Sequence, residues 1–462
     1  MYKLFSLLFV LLISLNAAGQ RKQPNIVFVL ADDLGWGELN TYQSTFNETP
    51  NLNKLAAQGV RFTQAYAAAP NCSPTRASIV TGQFPARVGI TDYLPEAEKT
   101  NKRLDPAKFV TINEALAAAG YHTGIVGKWH LDTEFKKNIA GPKAHGFQEV
   151  IGSETKYIAD GDYFYPYDKI ATFTAGDENE YLTDRQSKEA VNFIERNKNK
   201  TFFLYLSYYS VHTKFSAPEN LVQKYKKKFD DKYGSGMADK LYGSHNLRHE
   251  GPHKDNPYLA AMLEKIDDGI GQIMDKLQQS GLDKNTVLIF FSDNGGAGKL
   301  ANNGPFRDSK MSLYEGGIRE PLIIRWPGKI KAGTVEHTPV SSVDFYPTFL
   351  GMAGAKPIKN QLLDGLDFTP VFNGKTLQRD ELFWHYPSET AKLNGKMASA
   401  VRKDNYKLIQ FYANPRYELY DLTADPGETH NLSDQLPAKV AALKTLLDGW
   451  KKNVHAEQAV PK

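Results

Sequence analysis

The sequence predicts an α/β protein: a large, mostly parallel sheet sandwiched by helices, followed by a smaller antiparallel sheet with one helix. Three observations carry this expectation. Apolar runs such as NIVFVL, TFFLYLS and TVLIFF are continuous rather than alternating, as strands covered on both faces of a parallel sheet must be. Segments with apolar residues at helical spacing lie between them, which is the order of a doubly wound domain. Beyond Leu382 the pattern changes to the short strand-like runs ELFWHYP, SAVRKDNYKLIQFY and RYELYDLTADPGE, with Asp404 and Asn405 as a turn.

Taken in order, residues 1–19 read as a leader, with Lys3, an apolar run from Leu4 to Leu15, and small residues Ala17, Ala18 and Gly19. The run is too short for a permanent membrane helix and has the form of a secretory signal peptide, which makes the export machinery a partner. No cysteine follows it to carry a lipid, and no later segment is long and apolar enough to span a bilayer. The mature chain is therefore expected to be exported, periplasmic or secreted, with no permanent membrane anchor. The first strand, in PNIVFVLADDLGWG, stops at Asp32 and Asp33. NLNKLAAQGV reads as a helix ended by its glycine. Next comes AAAPNCSPTRASIVTG, in which Pro74 suits the first turn of a helix through Ala77 to Val80 that stops at Gly82.

After the helical TINEALAAAG, the strand in YHTGIVGKWH ends at Lys128 and His130. DRQSKEAVNFIERN is helical, and TFFLYLSYYSVHT ends at His212. The lysine cluster Lys226, Lys227 and Lys228 reads as a solvated helix face. The long helix YLAAMLEKIDDGIGQIMDKLQQSG precedes NTVLIFFSDNGG, which ends at Asp293 and Asn294. A helix begins near Ser342, LDGLDFTPVFNGK crosses between units, and an amphipathic helix from Leu436 to Trp450 closes the chain. The expected domains are 20–370 and 371–462. No internal repeat is visible.

In open α/β sheets, ligands sit at the carboxyl ends of the strands, so these four polar termini are expected to converge. Asp32, Asp33, Asp293 and Asn294 offer oxygen donors and three negative charges, which select one hard divalent cation, calcium ahead of magnesium. Cys72 is the only cysteine and has no intramolecular disulfide partner. A lone cysteine is ordinarily a small buried hydrophobe. Here the helix start and Arg76, one turn on, instead favour a nucleophile facing an oxyanion. With 56 basic against 52 acidic residues the formal charge is only +4, so nucleic acid is not an expected partner. Aromatic residues make up 12% of the chain, a composition suited to carbohydrate surfaces.

Cys72-Ser73-Pro74-Thr75-Arg76 resembles the signature of the type I, formylglycine-dependent sulfatases, a branch of the alkaline phosphatase superfamily whose usual form is Cys-x-Pro-Ser-Arg. The likeness extends through DDLGWG, TPNLNKLAAQGVRFTQAY, GKWHL, FFLYLSYYSVHT, FFSDNGG and KMSLYEGGIREPLIIRWPG. It implies an alkaline-phosphatase-like fold and a sulfuric ester hydrolase. It further implies that a maturation enzyme converts Cys72 to formylglycine (3-oxoalanine), whose hydrated aldehyde attacks sulfur. By the same resemblance Asp32, Asp33, Asp293, Asn294 and the modified residue 72 hold calcium, while Arg76, Lys128, His130, His212 and Lys310 bind sulfate and assist catalysis. His130 would take the proton whose loss expels sulfate, and His212 or Lys310 would protonate the leaving oxygen.

Four positions depart from the family pattern: Thr75 for serine, Asp132 for glycine, Lys214 for proline, and Glu320 for an apolar residue. Asp132 and Lys214 are close enough in sequence to the histidines to contact substrate. The expected substrate is a sulfated carbohydrate, a polysaccharide or glycosaminoglycan oligosaccharide met by an exported bacterial enzyme. Arg248, His249 and His253, in the loop before the long helix, and His385 and Tyr386, in FWHYP, are candidates for its hydroxyl groups. Gly251 and Pro252 break the helix that would align His245, His249 and His253 as a second metal site. The alternatives are a phosphoester or phosphonate hydrolase of the same superfamily and a catalytically silent glycan-binding protein that keeps Cys72 unmodified. A papain-like cysteine hydrolase is a weaker alternative, because the associated signature is absent.

Overall fold

The computed structural model describes residues 23–95, 102–133, 139–153, 163–167, 170–173, 176–243, 254–359, 361–387 and 396–459. The leader and the 244–253 loop lie outside them, the latter with Arg248, His249 and His253. Among the described residues no helix is long and apolar enough to cross a membrane.

The main sheet is built from β1 (Asn25–Ala31), β2 (Val60–Tyr66), β3 (His122–Gly127), β4 (Glu149–Ile151), β5 (Phe202–Ser207), β6 (Thr286–Ser292), β7 (Arg319–Arg325), β8 (Thr334–Glu336) and β9 (Val340–Ser341). Its order is β4-β3-β5-β1-β6-β7-β2-β8, with β9 also on β2. The strands from β4 to β6 are mutually parallel, whereas β7 runs antiparallel to both β6 and β2. Every residue of β1 is buried, and the two-residue strand period divides them between two cores. Val27, Val29 and Ala31 pack with the helices 50–57, 182–197, 219–233 and 257–279. Ile26, Phe28 and Leu30 pack with the helices 72–81, 112–118 and 345–353 on the other face. A six-residue run, Ile26 to Ala31, apolar on both faces is therefore the signature of the central strand.

Local chemistry fixes the helix ends. Asn256 accepts from the Tyr258 and Leu259 amides at the start of the long helix, and Thr111 with Glu114 forms a capping box. The lysine cluster differs from the solvated face expected of it. Lys226 pairs with Asp239 at 2.9 Å and Lys228 with Glu48 at 2.7 Å, tying the 219–233 helix to its neighbours, while Lys227 is the exposed member.

The second sheet is antiparallel: β10 (Glu381–Tyr386), β11 (Ala398–Lys403), β12 (Tyr406–Phe411) and β13 (Arg416–Asp421). Asp404 and Asn405 form the expected turn, with Lys403 opposite Tyr406. One face receives the Pro437–Asn453 helix through Leu443, Leu447 and Trp450. The other packs Trp384, Ala400, Ile409 and Tyr420 against Tyr66, Leu313 and Tyr314 of the large unit. Lys407 of β12 is fully buried at this junction, 2.9 Å from both Glu315 and Glu428. The same sheet straps the 304–316 segment. Arg307 donates to the Tyr420 hydroxyl and the Glu428 carbonyl, Lys396 pairs with Asp308, and the Glu315 amide donates to the Glu428 carboxylate.

Candidate active site

β3, β5, β1 and β6 are adjacent and parallel, so their carboxyl ends lie side by side. That arrangement brings Lys128 and His130, His212, Asp32 and Asp33, and Asp293 and Asn294 to one edge. Asp33 turns away from β1 in the left-handed region, φ 60°, and its amide donates to Asp293 Oδ1 at 3.1 Å. From the second core, the 72–81 helix brings Cys72 to the same edge. Asn71 is the flanking residue and Cys72 the first helical one. The helix is buried over its whole length and ends at Gly82, whose φ of 67° a side chain would strain.

Arg76 lies one turn beyond Cys72 and makes a bidentate contact to Asp293 Oδ2 at 2.9 and 2.7 Å. It also donates to Ser207 Oγ and to the Lys128 carbonyl. Lys128 Nζ is 2.6 Å from Asp32 Oδ2. Lys310 Nζ is 2.7 Å from Asp33 and 3.7 Å from Cys72 Sγ. His212 Nε2 is 3.6 Å from Asp33 Oδ2. Three aspartates and three cations make the cluster formally neutral, so a divalent cation among the oxygens would leave a field suited to an anion.

The donor set fits such a cation. Ligand atoms of Asp32, Cys72 and Asp293 all lie within 4.8 Å of one another. Among the described residues Asp32 Oδ1 and Asn294 Oδ1 are buried without a hydrogen-bond partner, the former lying 3.5 Å from Arg76. The Asn294 amide nitrogen is turned to Asp33 and the Gly295 carbonyl, which fixes its oxygen the other way. Leaving buried acceptors unmet costs about 1–3 kcal/mol each, and a hard cation removes that cost.

The electrostatics separate the roles of the ionisable groups. Burial pushes the Cys72 thiol up to about 11, more than Lys128 and Lys310 pull it down. A free thiolate is thus disfavoured, which counts against cysteine-hydrolase chemistry. Burial alone would raise Asp33, but Lys310, His212 and Lys128 together hold it well below the usual carboxylate range. Burial and the adjacent Asp32 instead push Asp293 up. Burial, then Lys128, keeps His130 neutral. Its Nε2 lies 3.0 Å from the Leu94 carbonyl, which assigns the proton there and leaves the buried Nδ1 as an unmet acceptor. Burial likewise holds His212 down to about 3, whereas Asp33 and Cys72 keep Lys310 charged against its burial.

Several sequence candidates sit differently from expectation. His385 and Tyr386 are enclosed rather than presented to a sugar. His385 is 4% exposed, with Nδ1 on Ser399 and Nε2 on the Glu457 carbonyl, and the Tyr386 hydroxyl lies 3.1 Å from Asn71 Nδ2. Asp132 is also buried and accepts from the Thr133 and Ala140 amides, so it shapes a loop instead of meeting substrate. Glu320 is buried with both carboxylate oxygens unmet, and burial raises it well above its ordinary value. Sequence reasoning missed Ser207, which orients Arg76 and was visible only as the polar last residue of an apolar strand. It also missed the Leu94 carbonyl, a backbone group with no residue-type signal.

His385 gives a pH prediction. Burial lowers it to about 4 from an ordinary 6.5. Between those values the unfolded chain binds a proton that the folded chain does not, so stability is complete above pH 6.5 and is lost as pH falls towards 4. The share from this residue is up to roughly 3 kcal/mol. Urea denaturation at pH 7 and pH 4.5 should show His385→Gln losing less stability on acidification than the parent; equal losses would contradict it.

The family model described as Sulfatase matches residues 24–355, and that of the N-sulphoglucosamine sulphohydrolase C-terminal region matches residues 305–453. The N-acetylgalactosamine-6-sulfatase of Rattus norvegicus is 33% identical over 403 residues, covering 80% of this chain and 70% of its own. A sulfatase of Formosa agariphila is 31% identical, covering 94% of this chain and 89% of its own. The solved structure of Ps i-CgsB, also known in complex with k-i-k-neocarrahexaose, superposes with a TM-score of 0.79 at 28% identity, covering 96% of this chain and 94% of that one.

Proposed function

The chain belongs to the sulfatase family and is a sulfuric ester hydrolase, and from that premise we propose that it removes sulfate from carbohydrates by a calcium- and formylglycine-dependent route. The observation that carries the proposal is the buried cluster of Asp32, Cys72 and Asp293 ligand atoms, beside which Asp32 Oδ1 and Asn294 Oδ1 have no hydrogen-bond partner among the described residues. The carbohydrate class is supported by the similarity to an N-acetylgalactosamine-6-sulfatase and to a protein known with a neocarrahexaose bound. We assign residues 20–370 to the catalytic unit and 371–462 to the second unit, and place the mature chain outside the cytoplasm, in the periplasm or secreted.

In this reading Cys72, once converted by a maturation enzyme, supplies a hydrated aldehyde at the start of the 72–81 helix. Asp32, Asp33, Asp293 and Asn294 would hold calcium, which supplies positive charge to the sulfate oxygens and acidifies the neighbouring hydroxyl. Arg76 is held by Asp293 and Ser207, so it orients the carboxylate and adds to the positive field without moving. Lys128 and Lys310 neutralise charge that develops on the transferring group. His130 Nδ1 is the acceptor for the proton whose loss expels sulfate, its ring oriented by the Leu94 carbonyl. For the leaving oxygen, His212 and Lys310 are the two candidate proton donors, both beside Asp33, and Lys310 is the one that already carries its proton.

The test uses protein from the native host. The tryptic peptide carrying Cys72 should be lighter than the thiol form by the cysteine-to-formylglycine difference, and elemental analysis should give one calcium per chain. Only thiol in exported, active protein would overturn the nucleophile, and full activity after exhaustive chelation would overturn the metal.

A further inference from the structure

A cavity of about 560 Å³ opens at the opposite end of the main sheet, where β1 and β6 begin and β7 ends. β1 has seven residues at about 3.3 Å each, so this cavity is roughly 20 Å or more from the Asp32 cluster. Its wall carries two half-buried aromatic rings, Trp326 and Phe372, and its rim carries Lys284, Lys329 and Lys375, all exposed. No aspartate or glutamate among the described residues lines it. Among the described residues none of these three lysines has a carboxylate partner, whereas lysines 224, 226, 227, 228 and 232 of the 219–233 helix are all paired.

We propose that this cavity is a second, non-catalytic binding site for a sulfated carbohydrate chain. The rings offer apolar faces for sugar rings to pack on, Asn373 offers hydroxyl partners, and three unneutralised ammonium groups match sulfate esters carried at intervals along a polymer. The volume lies in the range of small-ligand sites. A polymer held here keeps its other segments at high local concentration around the catalytic edge, which raises apparent affinity for long substrates without altering the chemistry. The proposal rests on the carbohydrate sulfatase reading above, and it differs from that reading in what it predicts for short and long substrates.

The test compares the parent with the triple variant Lys284→Ala/Lys329→Ala/Lys375→Ala, all three side chains being exposed, with circular dichroism checking that the variant is folded. A Cys72→Ala background is used for binding, by affinity electrophoresis through a sulfated galactan, a sulfated glycosaminoglycan, their desulfated forms and polyphosphate. Parent protein should be retarded by at least one sulfated glycan, in a salt-sensitive way, and neither by its desulfated form nor to the same degree by polyphosphate. The triple variant should lose about tenfold in affinity. On the active background KM for the polymer should rise by a similar factor, with kcat and the turnover of a small aryl sulfate unchanged. Equal retardation of parent and triple variant, or equal retardation by polyphosphate, overturns the site. Failure of the sulfatase reading would show separately, as absent turnover of every sulfate ester in protein whose glycan binding is still measurable.

Discussion

Replacing Cys72 by alanine is expected to lower kcat by about 10⁴-fold or more, because it would remove the proposed nucleophile and leave only the electrostatic environment. The loss should fall on kcat, since Arg76, Lys128 and Lys310 are each held by an aspartate, Asp293, Asp32 and Asp33, and only Lys310 loses a contact, the 3.7 Å one to Sγ. Cys72 is 2% exposed, and truncating so small a side chain leaves the buried 72–81 helix intact, with stability within about 1–2 kcal/mol of the parent. Cys72→Ser makes a sharper comparison. A serine hydroxyl attacked onto sulfur would be left as a stable ester with no second hydroxyl to expel it, so at most one turnover per chain is expected, visible as a mass gain on the intact protein. Multiple turnovers by the alanine variant would refute the assignment of Cys72 altogether.

Lys407→Ala is expected to cost about 3–5 kcal/mol of stability, the usual consequence of removing one member of a buried ionic group. Lys407 is fully buried, 2.9 Å from Glu315 and from Glu428. Glu315 keeps other partners, accepting from the Tyr66 hydroxyl at 2.7 Å and lying 3.3 Å from Arg319. Burial, opposed by Lys407, already pushes Glu428 up to about 7. Without the ammonium group two enclosed carboxylates face each other. Combining Lys407→Met with Glu315→Gln and Glu428→Gln removes the charges together and should recover a large part of the loss. Chemical denaturation of the three proteins decides the matter; a loss under 1 kcal/mol for Lys407→Ala would show that the cluster is not a stability determinant.

Much of the site was legible because parallel strands announce themselves twice. A strand such as NIVFVLA must be apolar on both faces, and it must then meet water at its carboxyl end, so Asp32 and Asp293 stand out against what precedes them. His212 and Lys128 were readable for the same reason. Lys310 was not, because it sits in an irregular segment and only the family resemblance lifted it. Lys407 was invisible: NYKLIQFY reads only as part of a short strand-like run, and its partner Glu315 lies 92 residues away. The Lys226 cluster misled in the same direction, since sequence reports charge but not the acid a folded neighbour brings to it. His385 and Tyr386 misled because a polar tip on an aromatic ring suits a sugar and a buried hydrogen bond equally well.

The strap across the 304–316 segment also bears on the order in which a ribosome makes this chain. Asp32 and Cys72 are synthesised early, Lys310 past the middle, and the Glu428 groups that hold Arg307 and Glu315 only near the end. The segment that carries Lys310 is therefore braced by residues translated more than 100 positions after it. A chain ended by a nonsense codon between Asn294 and Glu428 would carry its metal-ligand candidates and its cysteine yet lack these contacts to Arg307 and Glu315 on either side of Lys310, and is expected to lose activity with them.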